Sequence, residues 1–131
     1  MTHATDLVLF SIGLLLAKHC VADFFIQTPY QYQNKGTYLH PGGLVHAGIH
    51  ALMSALVFVL LPPPTAVFAL LLLAGEAIIH YHVDFAKERL TRLNEWKPER
   101  PQYWQAMGLD QFAHGLTYVL MVWLLARFGG V

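Results

Sequence analysis

Intrachain disulfide chemistry is closed to this chain. Its single cysteine, Cys20, has no partner for a bridge and no companions for a Cys-rich zinc module. Charge is nearly as scarce: 12% of the 131 residues are charged and 56% are hydrophobic, against roughly 25% charged in soluble domains. That balance excludes an ordinary soluble domain. No Lys or Arg precedes the first apolar run, and Lys18, His19 and Asp23 interrupt it, which argues against a cleaved signal peptide. Repeats and low-complexity tracts are missing, and no Arg falls inside an apolar run before Arg127.

What is there are four apolar runs, at about 7–26, 43–61, 66–83 and 107–128. Each is close to the ~20 helical residues that cross a hydrocarbon layer of about 30 Å. The expected fold is all-α: a four-span antiparallel transmembrane helix bundle forming one integral membrane domain over residues 1–131. Lys35 lies between the first two runs, and Lys87, Arg89, Arg92, Lys97 and Arg100 between the last two, whereas the other side holds only Arg127. Positive charge marks the cytoplasmic side, so both termini are expected on the non-cytoplasmic side. The uncharged turn at 61–65, with three prolines, suits the outer side and a helix start. Residues 87–96 are expected to lie along the interface as a short amphipathic extension.

Every run carries ionisable residues spaced four apart: His19 and Asp23; His46 and His50; Glu76, His80 and Asp84; Asp110 and His114. That spacing places side chains on one helical face, about 40° apart. In an up-down bundle, residues late in odd spans and early in even spans share a depth, and all nine satisfy this rule. They are expected to converge in one half of the bundle as two tiers about 6 Å apart. Asp23, His46, Asp84 and Asp110 form the shallower tier, His19, His50, Glu76 and His114 the deeper, with His80 between.

Packing alone would not retain nine such residues, because together they oppose insertion by on the order of ten kcal/mol. Imidazole with carboxylate and no thiolate is the ligand set of zinc, iron, manganese or nickel, and bundle interiors build such sites from facing helices. Zinc is the first choice, ahead of iron and manganese. Nine candidates exceed the needs of one tetrahedral ion, so two ions are expected. Glu76 and Asp84 are the candidate catalytic carboxylates. Lys18 is read as snorkelling or paired, and Lys87 as a group at the mouth that either neutralises Asp84 or meets an anionic head group. Cys20 reads as a packed thiol, His3, His40 and His82 as ordinary polar residues, and Gln27 and Gln111 as outer hydrogen-bonding groups.

The string His19-Cys20-Val21-Ala22-Asp23-Phe24-Phe25-Ile26-Gln27, then Asn34-Lys35, His46-x-x-x-His50, Glu76-x-x-x-His80-x-x-x-Asp84-x-x-Lys87 and Asp110-Gln111-x-x-His114, resembles the bacterial and phage membrane proteins of domain-of-unknown-function family 3307. The resemblance spans nearly the whole chain. It implies a small polytopic inner-membrane protein and brings no activity with it. The motif style is also similar, more broadly, to membrane-bound metal-dependent hydrolases. The expected function is therefore metal-dependent hydrolysis of a lipid-linked or membrane-accessible ester or phosphoester. The expected partners are a membrane lipid or lipid-linked substrate and, as an allowed assembly, a second copy of the chain, with no nucleic acid. The alternatives are a metal-clamped structural or partner-binding module, a metal-ion or proton transporter, and an iron oxidase or hydroxylase. The apolar outer halves of the spans count against a transport path.

Overall fold

A computed structural model describes residues 3–129. The first helix, α1, covers His3–Phe24. It stops two residues short of the expected end, and Pro29, which opens the one-turn helix α2 (Pro29–Tyr32), holds Thr28 before it in the extended region. There Thr28 N–H donates to Gln31 Oε1 at 2.8 Å. Helix α3 (Pro41–Ser54) starts on His40, whose Nδ1 accepts from Gly42 N–H at 3.1 Å, and tightens into a 3₁₀ segment over Ala55–Val59. Helix α4 (Ala66–Leu93) starts on Thr65, whose hydroxyl accepts from Phe68 N–H. Helix α5 covers Pro101–Phe128, with its proline at the first position, where no N–H is needed.

Four helical stretches, α1, α3 with its 3₁₀ segment, α4 and α5, are long and apolar enough to cross a membrane. At 1.5 Å per residue, the 28 residues of α4 and of α5 reach about 42 Å, longer than the hydrocarbon layer. The amphipathic extension expected to lie along the interface at 87–96 is instead, as far as Leu93, an uninterrupted continuation of α4. The helix stops at Asn94 and Glu95, the latter with φ 52°. Each long helix packs on two neighbours in the cyclic order α1, α3, α4, α5 and back to α1.

Burial runs opposite to that of a soluble protein. Leu52 and Val59 are 73% and 82% exposed, while His50 and Glu76 are 0% and 1% exposed. The apolar exterior suits lipid. Inside, the two ends differ: Leu15, Val57, Leu61, Leu72, Met121 and Leu125 fill one end, and the ionisable residues fill the other. The 25–40 connection closes that polar end as a folded cap. Tyr81 OH accepts from Leu39 N–H, Arg92 donates to Gln33 O at 2.6 Å, and Gly42 comes so near Tyr30 that a Cβ would lie 2.5 Å from its carbonyl oxygen.

Candidate metal centre

The i, i+4 faces of four helices meet on the bundle axis, and all nine ionisable residues singled out in the sequence are buried there. Two aspartates organise them. Asp23 Oδ1 lies 2.9 Å from His46 Nε2 and 3.4 Å from His50 Nε2, and Asp23 Oδ2 lies 3.2 Å from His19 Nε2. Asp84 Oδ2 lies 3.3 Å from His46 Nε2 and 3.4 Å from His80 Nε2, and Asp84 Oδ1 lies 3.4 Å from His114 Nε2. His46 Nε2 and His80 Nε2 are 3.3 Å apart, and His114 Nε2 is 3.6 Å from Asp110 Oδ1. The two tiers therefore interlock, since each aspartate of the shallower tier reaches a histidine of the deeper one.

His46 Nε2, His80 Nε2 and Asp84 Oδ2 form a nearly equilateral triangle with edges of 3.3, 3.3 and 3.4 Å. Donor atoms of a tetrahedral shell at the usual 2.0–2.1 Å are about 3.3–3.4 Å apart. A His46–His80 hydrogen bond and two histidine–aspartate ion pairs make these edges, yet they leave acceptors over. Asp23 Oδ1 and Asp84 Oδ2 are buried without an aligned donor despite their short contacts, as are His50 Nε2 and Asp110 Oδ1. Three groups of side chains could each offer an ion ligand atoms within 4.8 Å of one another: Asp23, His46, His50 and His80; His19, His80 and His114; Asp84, Asp110 and His114. Eight of the nine residues belong to these groups.

Glu76 stands apart from the three groups. Its Oε1 accepts from Lys18 Nζ at 2.6 Å, with both side chains almost fully buried. Lys18 also donates to His50 O at 2.9 Å and sits 4.6 Å from the centre of the Tyr118 ring. This fills the deep end of the site with a closed ion pair. The side chain had a legible signal, because a lone Lys inside an apolar run must find a carboxylate at its own depth. Lys35 had no spacing signal. Counted in the sequence as loop charge and as part of the family string, it folds back with the cap, is 5% exposed, and places Nζ 3.0 Å from Asp84 Oδ2 and 3.5 Å from Asp23 Oδ1. It takes the neutralising role considered for Lys87, whose Nζ is instead 3.5 Å from Glu88.

His19 is held from both sides: Nδ1 is 2.8 Å from Tyr118 OH, and Nε2 is 3.1 Å from Gln111 Oε1. A consistent assignment has Nε2–H donating to Gln111 while Nδ1 accepts from Tyr118, which orients the ring. Tyr118 was not among the sequence candidates; Gln111 plays the outer part expected of it. Gln27 donates to Asp23 O at 2.6 Å, a local bond at the end of α1. Cys20 is exposed on the outer face, not packed, because its 100° offset from His19 turns it outward. His82 and His40 lie outside the cluster, engaged with Ile78 O and Gly42 N respectively.

A polar cavity of about 60 Å³ opens beside the aspartates, lined by Asp23, Lys35, Asp84, Lys87, Asp110 and Gln111 among others. It can admit water, which needs about 10–15 Å³ of such space. The family model described as "Protein of unknown function (DUF3307)" matches residues 10–128, a stretch containing the whole cluster and the cavity. The chain belongs to the DUF3307 family. Searches of the curated proteins and of the solved structures return no significant match. Among the described residues of this DUF3307 protein, four buried carboxylates, Asp23, Glu76, Asp84 and Asp110, meet two buried ammonium groups, Lys18 and Lys35. Each of the three aspartates also lies within 3.6 Å of at least one histidine nitrogen, so the histidines share in balancing the buried charge.

Proposed function

We propose that the protein is a membrane-embedded, metal-dependent hydrolase acting on an ester or phosphoester that reaches it from the lipid phase. The observation that carries the reading is the His46–His80–Asp84 triangle at coordination-shell spacing. Asp23 and His50 form a donor group with His46 and His80, and imidazole with carboxylate is a ligand set that suits zinc. One ion is the proposed resting content, where the sequence suggested two, since the Asp84, Asp110 and His114 group that a second ion would use shares Asp84 with the triangle.

A divalent ion held by these residues would supply Lewis-acid activation of a water and of the substrate oxygen. Asp110, with a buried oxygen lacking an aligned donor at the cavity, would act as general base toward the attacking water and then as general acid toward the leaving oxygen, so that the proton taken up is the one returned. Asp84 binds and orients. Glu76, closed off with Lys18 away from the cavity, supports the histidines from behind. The distribution of Lys and Arg supports an orientation with both termini outside the cytoplasm of a bacterial inner membrane.

The test is hydrolysis of short-chain fluorogenic esters, phosphomonoesters and lipid esters by purified protein, before and after chelation and after zinc is restored. Turnover should need the metal. Asp110→Asn should keep the ion and lose roughly 10²-fold or more in rate. Absence of metal and of turnover would overturn the reading. A second reading, a metal-free polar clamp between helices, draws on the Lys18–Glu76 and Lys35–Asp84 pairs; in that case removing any metal would leave thermal stability unchanged.

A further inference from the structure

Three cavities adjoin at the end of the bundle where α4 hands over to α5. An apolar groove of about 380 Å³ runs between the two helices, walled by Val83, Ala86, Leu90, Ala106 and Leu109. At its inner end it shares Lys87 and Asp110 with the polar cavity beside the aspartates. At its outer end it shares Trp96 and Gln102 with a polar recess of about 310 Å³ that also presents Arg100, Asn94 and Glu95. Leu90 and Leu109 are 51% and 69% exposed, so the groove faces outward, to the side where lipid would lie.

We infer that this groove seats one glycerophospholipid with a zwitterionic head group and delivers its ester region to the polar cavity. The inference rests on the hydrolase reading for its chemical purpose and on the three adjoining cavities for its geometry. The outer recess is lined by both a cation and an anion, Arg100 for a phosphate and Glu95 for an ammonium, which is the charge pattern of such a head group. Trp96 stands at the junction, where an amphipathic ring suits the border between polar and apolar surroundings. In the last two turns of α4, Lys87 lines the groove where it can donate to an ester carbonyl, and Asp110 of α5 lines it too. The acyl chain follows the apolar wall past Val83 and Leu109.

The experiment places the full chain in phosphatidylcholine nanodiscs containing a trace of phosphatidylethanolamine with a diazirine in one acyl chain. After illumination, mass spectrometry maps the label, and the metal content of the same sample is measured. Labelling should concentrate at Val83, Leu90 and Leu109. Ala86→Phe, at an exposed position, should lower it about tenfold by overfilling the groove. Arg100→Gln should weaken retention of both this probe and its phosphatidylglycerol analogue about fivefold, the usual worth of one basic side chain at a phosphate surface. Glu95→Gln should weaken only the zwitterionic probe. Label spread evenly over the outward faces of α1 and α3 in protein that holds metal would overturn the lipid seat and leave the metal site standing. Groove labelling in metal-free protein would keep the seat and overturn the hydrolase reading. Equal retention of both probes by the Glu95→Gln and parent proteins would overturn the head-group assignment. The Arg100 and Glu95 comparisons keep the inference testable should Ala86→Phe fail to fold.

Discussion

Replacing Glu76 by Gln should damage the fold more than the chemistry, and the damage should vanish when Lys18 is replaced with it. The pair has a 2.6 Å contact, and the two side chains are 2% and 0% exposed. At an effective dielectric of about 20, opposite charges so close attract by about 6 kcal/mol. Most of that is spent on desolvation, so the pair adds little net stability, but stranding either charge costs about 3–5 kcal/mol. Against a total stability of about 5–15 kcal/mol, Glu76→Gln or Lys18→Met alone should bring the protein near its folding limit. Lys18→Met would also leave His50 O without the donor that now lies 2.9 Å away. The double variant should recover most of the loss, since a neutral pair of similar volume removes both buried charges. The assay is equilibrium unfolding in mixed micelles of the parent, the two single variants and the double, each followed by helical circular dichroism. A coupling of about 2 kcal/mol or more is expected. Additive single effects, or a Glu76→Gln cost under about 1 kcal/mol, would refute the closed ion pair and restore Glu76 as a free carboxylate available to the site.

Elemental analysis of protein purified without chelator should find about one divalent transition-metal ion per chain, the content of a single four-donor shell; none, after zinc is offered, refutes the metal centre. His80→Ala and Asp84→Asn should each lose that ion, while the Lys18→Met, Glu76→Gln double variant keeps it, as read by the same analysis. Tyr118→Phe removes the hydroxyl 2.8 Å from His19 Nδ1 and should cost about 1–3 kcal/mol in unfolding experiments, the penalty of a buried polar atom left unpaired. Gly42→Ala would set a Cβ 2.5 Å from Tyr30 O; the cap should loosen, with faster amide exchange over 30–40 as the measured sign and unchanged exchange as the refutation.

Helix type, span number and the nine polar positions were legible in the sequence because each depends on local or periodic information. Apolar length sets the spans, and i, i+4 spacing sets a face. The convergence of all nine in one half of the bundle follows from the alternation of up and down helices. The uninterrupted run of α4 to Leu93 was harder to read, since Lys87, Arg89 and Arg92 look like the end of a span when helix length is judged by hydropathy alone. Other features had no local signature at all. Lys35 belongs to the site only because the 25–40 connection folds over the bundle end, and Glu76 is withdrawn from it only because Lys18 faces it from another helix. The α4–α5 groove exists only once two faces, each unremarkable in sequence, lie side by side. Periodicity thus determines which side chains point inward. Which of them meet is decided by helix order, rotation and the return of a loop, quantities set by long-range contacts that a single chain of letters does not carry.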